Sequence, residues 1–100
     1  MAINYNLNVV TTTPYTVITS DEVVFVNVPT AASIILPTIA SGKNTGYYIK
    51  DYSGNANANP IMITATGGAT INGVSFAILN VDYSHIQVIW DGANWQTLTN

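Results

Sequence analysis

The sequence predicts an all-β fold made of short antiparallel strands, arranged as a sandwich or a prism-like domain. Apolar residues recur with a period of two along most of the chain, and the spacing of an amphipathic helix is hard to find. Two dipeptides, Asn72-Gly73 and Asp91-Gly92, supply the positive φ angles of tight hairpins and stand between β-rich runs. A length of 100 residues leaves room for one domain with one core.

The alternation predicts about ten strands, with turn signals roughly every 8 to 12 residues, which is typical of sandwiches, barrels and prisms. All four prolines stand at the edges of predicted strands, where a missing amide hydrogen does no harm. No internal repeat of about 20 to 50 residues is visible, so a long solenoid is not expected. The predicted strands cover residues 7–11, 15–19, 24–28, 33–36, 46–50, 61–66, 69–71, 74–79, 86–90 and 95–98.

The chain is unusually poor in charge. Only 7% of its residues are charged, against roughly 25% in typical soluble domains, and its polar groups are mainly those of 12 Asn and 13 Thr. Such a surface favours association with a partner. With Lys43 and Lys50 as the only cations and a net charge of -3, nucleic-acid binding and a polybasic membrane patch are not expected. No apolar run approaches the length of a membrane span, which is about 20 residues.

Short strands with few charges leave sheet edges that invite pairing, and closed symmetry between copies is the ordinary way to cover them. We therefore expect a homo-oligomer in which apolar strand faces of several copies form a common core. The absence of cysteine excludes disulfides and thiolate chemistry, and it fits assembly in a reducing cytoplasm. The residues predicted for this shared core are Val24, Val26, Val28, Ile61, Ile63, Ile86 and Val88.

An ordered series of motifs covers most of the chain from residue 15 to residue 98. It begins with YTVITSDEVVFVNV and SIILP, continues with GYYIKDYSGNANANPIMITATGGATINGVSFAILN, and closes with SHIQVIWDGANWQTL. In this order the motifs resemble a domain that recurs in phage tail-fibre, head-fibre and related virion proteins. The resemblance implies a β-structured, trimer-forming building block of a virion, assembled in the host cytoplasm, with no catalytic residue and no cofactor.

Residues 1–14 are predicted to form an N-terminal segment, and residues 15–100 a single β domain. Because such domains are commonly embedded in long fibres and few residues precede this one, we expect a small accessory: a capsid decoration protein, a short head fibre or a small tail component. The N-terminal segment alternates Asn with apolar residues. It is predicted to be either an arm that adds a strand to another virion protein or the first strand of the domain.

Catalysis is not expected. The chain has five carboxylates, and the adjacent pair Asp21 and Glu22 would point to opposite faces of a strand. Asp91 is explained by its turn, and Asp51 and Asp82 complete the set. His85 has Asp82 and Ser84 close in sequence, but in an extended strand it would face away from both.

Metal binding is not predicted either. One histidine and no cysteine disfavour zinc. The segment from Asp51 to Asn59 places oxygen ligands at alternate positions, as calcium sites do, but only Asp51 carries a charge and the EF-hand spacing is absent. The asparagines there are better explained as residues that satisfy backbone turns.

The aromatic residues support an alternative function, a carbohydrate-binding tip of a tail fibre that recognises a host surface glycan. Sugars stack on exposed aromatic rings beside amide groups, and both are present. Trp90 also continues an apolar strand face, and Trp95 would pair with it across the turn, so both also fit a core. The residues predicted as glycan contacts are Tyr47, Tyr48, Trp90 and Trp95.

Overall fold

A computed structural model describes residues 5–40 and 43–98, and this part of the chain contains nine β-strands and no helix. The all-β prediction is confirmed. The strands form two mixed sheets, sheet A in the order β1-β3-β5-β8-β9 and sheet B in the order β2-β4-β6-β7. The strands are β1 (Leu7–Val10), β2 (Tyr15–Thr16), β3 (Val23–Val26), β4 (Ala32–Leu36), β5 (Thr45–Asp51), β6 (Ile61–Ala65), β7 (Phe76–Leu79), β8 (His85–Trp90) and β9 (Trp95–Leu98).

The first six strands form a short parallel coil. Odd-numbered strands enter sheet A and even-numbered strands enter sheet B, so each pair β1/β2, β3/β4 and β5/β6 is one rung that stacks parallel on the previous rung. Leu7 faces Val23 and Val23 faces Tyr48, so consecutive rungs are 16 and 25 residues long. Unequal rungs leave no fixed period in the sequence.

The prediction of antiparallel strands is wrong for four of the seven pairings, which are parallel. Alternation of apolar residues reports which face of a strand is buried, and it carries no information about strand direction. A parallel pair needs a connection that leaves the sheet and returns, and here a strand of the other sheet provides it. The three antiparallel pairings are β5 with β8, β6 with β7, and β8 with β9.

The inner faces of both sheets share one core. It contains all seven residues that we predicted for a core shared between copies: Val24, Val26, Val28, Ile61, Ile63, Ile86 and Val88. Each is at most 5% exposed in the single chain. The structure therefore places them inside one subunit, because the second sheet of the same chain covers them.

Asn72 and the glycines at positions 73 and 92 have positive φ angles, as the turn signals predicted. The turn at Asn72 folds back on sheet A. The Asn72 side chain accepts a hydrogen bond from the backbone N–H of Thr97 at 3.0 Å and donates one to the Thr97 hydroxyl at 2.7 Å. The backbone N–H of Asn72 donates to the carbonyl of Trp95 at 2.9 Å. This turn therefore covers the outer edge of β9.

Asp51, the last residue of β5, is fully buried and organises two loops. One carboxylate oxygen accepts from the backbone N–H groups of Ala56 at 2.9 Å and Tyr83 at 3.0 Å. The other accepts from the Gly54 N–H at 3.1 Å and the Ser53 hydroxyl at 3.2 Å. Burial alone raises the pKa of Asp51, but these donors outweigh it and hold the pKa below its usual value.

A second polar network joins the two strands of the first rung. Asn8 donates to the Tyr15 hydroxyl at 2.7 Å, and that hydroxyl donates to the buried Asp21 carboxylate at 2.6 Å. Asp21 also accepts from the backbone N–H of Ile18 at 3.2 Å. Burial, followed by the Asp21 carboxylate, raises the pKa of Tyr15 to about 12. The network closes the β1/β2 end of the core with satisfied polar groups.

We expect Asp51→Asn to lower the free energy of unfolding by roughly 3 kcal/mol, because in either orientation the new amide group turns N–H bonds toward buried N–H donors. The pKa of Asp51 is depressed in the folded state, so its contribution is complete above the unfolded pKa of about 3.9 and disappears as the pH falls through the folded pKa. The mutant should therefore lose less stability than the wild type on acidification. Urea unfolding at fixed protein concentration between pH 7 and pH 2 measures both effects.

The matched control is Asp91→Asn in the exposed turn after β8. The Asp91 oxygen that accepts from the backbone N–H groups of Ala93 and Asn94 can be replaced by an amide oxygen. Its stability should stay within about 0.5 kcal/mol of the wild type. Equal losses in the two variants would contradict the role given to Asp51.

We expect Tyr15→Phe to destabilise the fold by about 1 to 2 kcal/mol, because the buried Asp21 carboxylate loses a donor. The raised pKa of Tyr15 means that its contribution is complete below the unfolded pKa of about 10 and is lost as the pH rises toward about 12. Phenolate absorbance during alkaline titration should show one late-titrating tyrosine fewer in the mutant. An unchanged titration curve would exclude the network.

Candidate interaction surface

The outward-facing side of sheet A carries an apolar surface, which we call the outer A face. Strand register places Leu7, Val23, Tyr48, Gln87 and Leu98 in one row across all five strands. The adjacent row contains Val9, Phe25, Lys50 and His85. Exposed apolar side chains dominate these rows, with Leu7, Val9, Tyr48 and Leu98 between 40% and 59% exposed.

An open cleft of about 250 Å³ lies on the outer A face, lined by Tyr5, Val23, Phe25, Tyr48, Lys50 and His85. The ring of Phe25 stacks on that of Tyr52 with centroids 5.2 Å apart. The Lys50 ammonium group donates to the Tyr83 carbonyl at 2.6 Å and lies 5.6 Å from the centre of the Tyr83 ring. The cleft thus combines aromatic walls with one cation that the protein itself holds in place.

The outward-facing side of sheet B, which we call the outer B face, carries no charged side chain in its strand rows. Its rows mix hydroxyl and apolar side chains, and Met62, Phe76 and Ile78 are each more than 40% exposed. One chain therefore presents apolar residues on both sides. The outer B face consists of Thr16, Ser33, Ile35, Met62, Thr64, Phe76 and Ile78.

The predicted glycan contacts are not one surface. Tyr47 and Trp95 are fully buried and Trp90 is 8% exposed, so the prediction is corrected for these three residues. Their rings pack together inside the core, with Trp95 5.3 Å from Trp90 and 5.9 Å from Tyr47 between centroids. Only Tyr48 is exposed, because it follows Tyr47 in β5 and points to the opposite face.

Sequence reasoning missed Tyr5 and Phe25, the aromatic residues that line the cleft together with Tyr48. Because successive side chains of β5 point to opposite faces, Tyr48 must point outward once Tyr47 is known to be buried. Bringing Phe25 beside it requires the parallel register of β3 and β5, in which Val23 faces Tyr48 and Phe25 faces Lys50. No local sequence signal encodes that register.

Each of the five acidic side chains accepts a hydrogen bond from a backbone N–H. Besides Asp21 and Asp51, Glu22 accepts from Asn6 at 2.9 Å and Asp82 accepts from Asn57 at 2.9 Å. Asp91 accepts from Ala93 and Asn94, and these bonds lower its pKa. The acidic side chains therefore hold backbone N–H groups in place, and none of the described residues that line the cleft is Asp or Glu.

The loop that follows β5 has no open set of oxygen ligands. Three backbone N–H groups donate to the two Asp51 oxygens, and the Ser53 hydroxyl shares its one hydrogen between Asp51 Oδ1 at 3.2 Å and the Asn55 side-chain oxygen at 2.7 Å. Within residues 5–40 and 43–98 no group of three or more acidic, histidine or cysteine side chains could hold a metal ion. The same residues include no helix long and apolar enough to cross a membrane.

Neither a protein-family model nor a curated protein matches the sequence. The distinguishing property of the molecule's surfaces is apolar area on the outer side of both sheets, in a chain with few charges.

We expect iodide to quench the tryptophan fluorescence weakly, because Trp90 and Trp95 are buried. The emission should be blue-shifted, and addition of an oligosaccharide should leave it unchanged even if a sugar binds the outer A face. The control is the same titration in 6 M urea, where quenching should rise to that of a free indole. Strong quenching of the folded protein would contradict the packing described above.

Proposed function

We propose that this chain is a structural protein of a phage or viral particle that acts by assembling with copies of itself as a homotrimer. The observation that carries the proposal is the outer A face, an apolar surface that spans five strands and that nothing covers among residues 5–40 and 43–98. Monomeric soluble proteins rarely leave a contiguous apolar patch of more than a few hundred Å² in water. Burial against another chain removes that cost.

The charge distribution supports a protein partner. Lys50 is held by Tyr83, and the chain has two cations against five carboxylates, so a polyanion is a poor partner. Association between copies then depends on apolar contact, the dominant favourable force in most protein association. The resemblance of the motifs to phage fibre domains supports a virion component such as a capsid decoration protein, a head fibre or a small tail-fibre component, with other virion proteins as further partners.

A first test is the mass of the purified protein by light scattering. We expect three times the 10.7 kDa of one chain. Tyr48→Glu should reduce the mass toward that of one chain, because it places a carboxylate in an apolar contact. The circular dichroism spectrum should not change, since Tyr48 lies outside the core.

The matched control is Thr38→Glu, which adds the same charge at an exposed loop position between β4 and β5. It should keep the wild-type mass. A wild-type protein that remains a single chain at millimolar concentration would end the proposal.

A second candidate function, carbohydrate recognition, is supported by the aromatic cleft. Tyr5, Phe25 and Tyr48 line it, and exposed rings of this kind can stack on the apolar face of a sugar. Saturation-transfer NMR with cello-, malto- and chitotetraose tests the idea. Transfer that is lost in Tyr48→Ala and kept in Thr38→Ala would favour a receptor-binding tip, and no transfer from any of the three would count against it.

A further inference from the structure

The four edge strands of the two sheets differ in how they are covered. The edge of β9 is covered by the turn at Asn72, and β2 is only two residues long. The other two edges, β1 and β7, have no backbone partner on their outer side among the described residues. Neither has the lysine, proline or bulge that usually protects an exposed edge.

The hydrogen-bond register shows which groups of β1 face outward. The carbonyls of Asn6 and Val10 accept from Val23 and Asn27 on the β3 side. In a parallel ladder alternate residues of a strand bond to the same neighbour, so Asn8 also bonds to β3. The N–H and C=O groups of Leu7 and Val9 therefore point to the open edge.

The same reasoning applies to β7. The carbonyl of Pro60 accepts from Ala32, and the N–H of Thr66 donates to Leu36, so even-numbered residues of β6 bond to β4. The odd-numbered residues of β6 then bond to β7, through the pairs Ile61–Leu79 and Ile63–Ala77. The open edge of β7 therefore presents the N–H and C=O groups of Phe76 and Ile78.

The open edges match each other. Both strands have four residues and the same burial pattern, in which the residues with free backbone groups also expose apolar side chains. Neither strand contains a charged residue. They do not pair with each other within one chain, because β1 is an outer strand of sheet A beside β3 and β7 is an outer strand of sheet B beside β6.

We propose that β1 of one copy pairs antiparallel with β7 of the next copy, with Leu7 opposite Ile78 and Val9 opposite Phe76. Each of these pairs exchanges two hydrogen bonds. The two free N–H groups and two free carbonyls of each edge therefore gain partners. This inference rests on the self-assembly proposed above and identifies the strands that perform it. It applies to every copy equally, since each copy offers one β1 and one β7.

The direction follows from side-chain parity. In the antiparallel register Leu7 and Val9, on the outer A face, lie beside Ile78 and Phe76, on the outer B face, and Asn8 lies beside Ala77 on the inner side. A parallel pairing of the same free groups would place Leu7 opposite Ala77 and join an outer face to an inner face. Only the antiparallel pairing continues both surfaces.

The paired strands alone bury too little area for a stable complex, so the interface must contain further apolar side chains. A standard interface buries about 800 Å² per partner, and a four-residue edge of about 13 Å offers only a fraction of that. Apolar side chains beside the two strands must supply the rest, and the exposed Tyr5 and Met62 are next to them. The strand pair then sets the register, and the adjoining outer faces supply the apolar contact.

Cysteine cross-linking tests the pairing, because the natural chain has no cysteine. Opposite residues of a hydrogen-bonded antiparallel pair have Cα atoms about 5.5 Å apart, within the range of a disulfide. We expect Leu7→Cys/Ile78→Cys to form covalent multimers under mild oxidation, and each single variant to remain uncross-linked. Cross-linking by Leu7→Cys alone would mean that β1 pairs with β1, which would overturn the proposal.

Proline substitutions provide a second measurement. Val9→Pro removes an N–H that points away from β3, so it should leave the subunit folded and reduce the mass measured by light scattering. Thr38→Pro, in a loop remote from both edges, is the control for the substitution and should keep the wild-type mass. An oligomeric wild type whose mass survives Val9→Pro, with no cross-link in the double cysteine variant, would refute the edge pairing and leave self-assembly standing. A monomeric wild type would refute both.

Discussion

The constraint on which this structure depends is that buried or edge backbone groups need hydrogen-bond partners. A chain with 7% charged residues cannot protect its strands with lysine side chains, so it covers them in other ways. The carboxylates are used as acceptors for loop N–H groups, and Asp51 alone holds three of them. Asparagine side chains act similarly, with Asn72 bonding along the edge of β9. The small number of charges is thus connected to the way the loops are built.

Much of the fold was predictable from local patterns, and the remainder depends on long-range register. The period-two alternation located the nine strands, but residues 69–71, which were also predicted as a strand, form only isolated bridges at Ile71. The turn chemistry located Asn72-Gly73 and Asp91-Gly92. Both patterns reflect interactions within a few residues. The direction of pairing was not predictable in this way. Val23 lies between Leu7 and Tyr48 only because two crossovers of different length return the chain to sheet A. That arrangement is a property of the whole coil.

The same distinction explains the site. The alternation predicted correctly that Val24 and Val88 are buried. It could not predict whether a second sheet of the same chain or a second chain buries them. Tyr47 and Tyr48 are identical in type and adjacent, yet one is fully buried and the other is 40% exposed. Successive side chains of a strand point to opposite faces, so one of the two tyrosines must face the core and the other must face outward. The alternation alone does not determine which one faces the core. The core side is decided by the packing of Tyr47 against Trp95.

Comparison of the two ends of sheet A gives the strongest reason to expect a partner. At β9 an asparagine turn satisfies the outward N–H of Thr97, so this chain does contain the chemistry needed to cover an edge. At β1 the outward groups belong to Leu7 and Val9, and the nearby polar residue Asn8 instead faces inward and bonds to Tyr15. Water could satisfy the free backbone groups of β1, but it would leave the exposed leucine and valine side chains uncovered. A strand from another copy satisfies both needs at once, because it supplies backbone partners and an apolar neighbour in the same register.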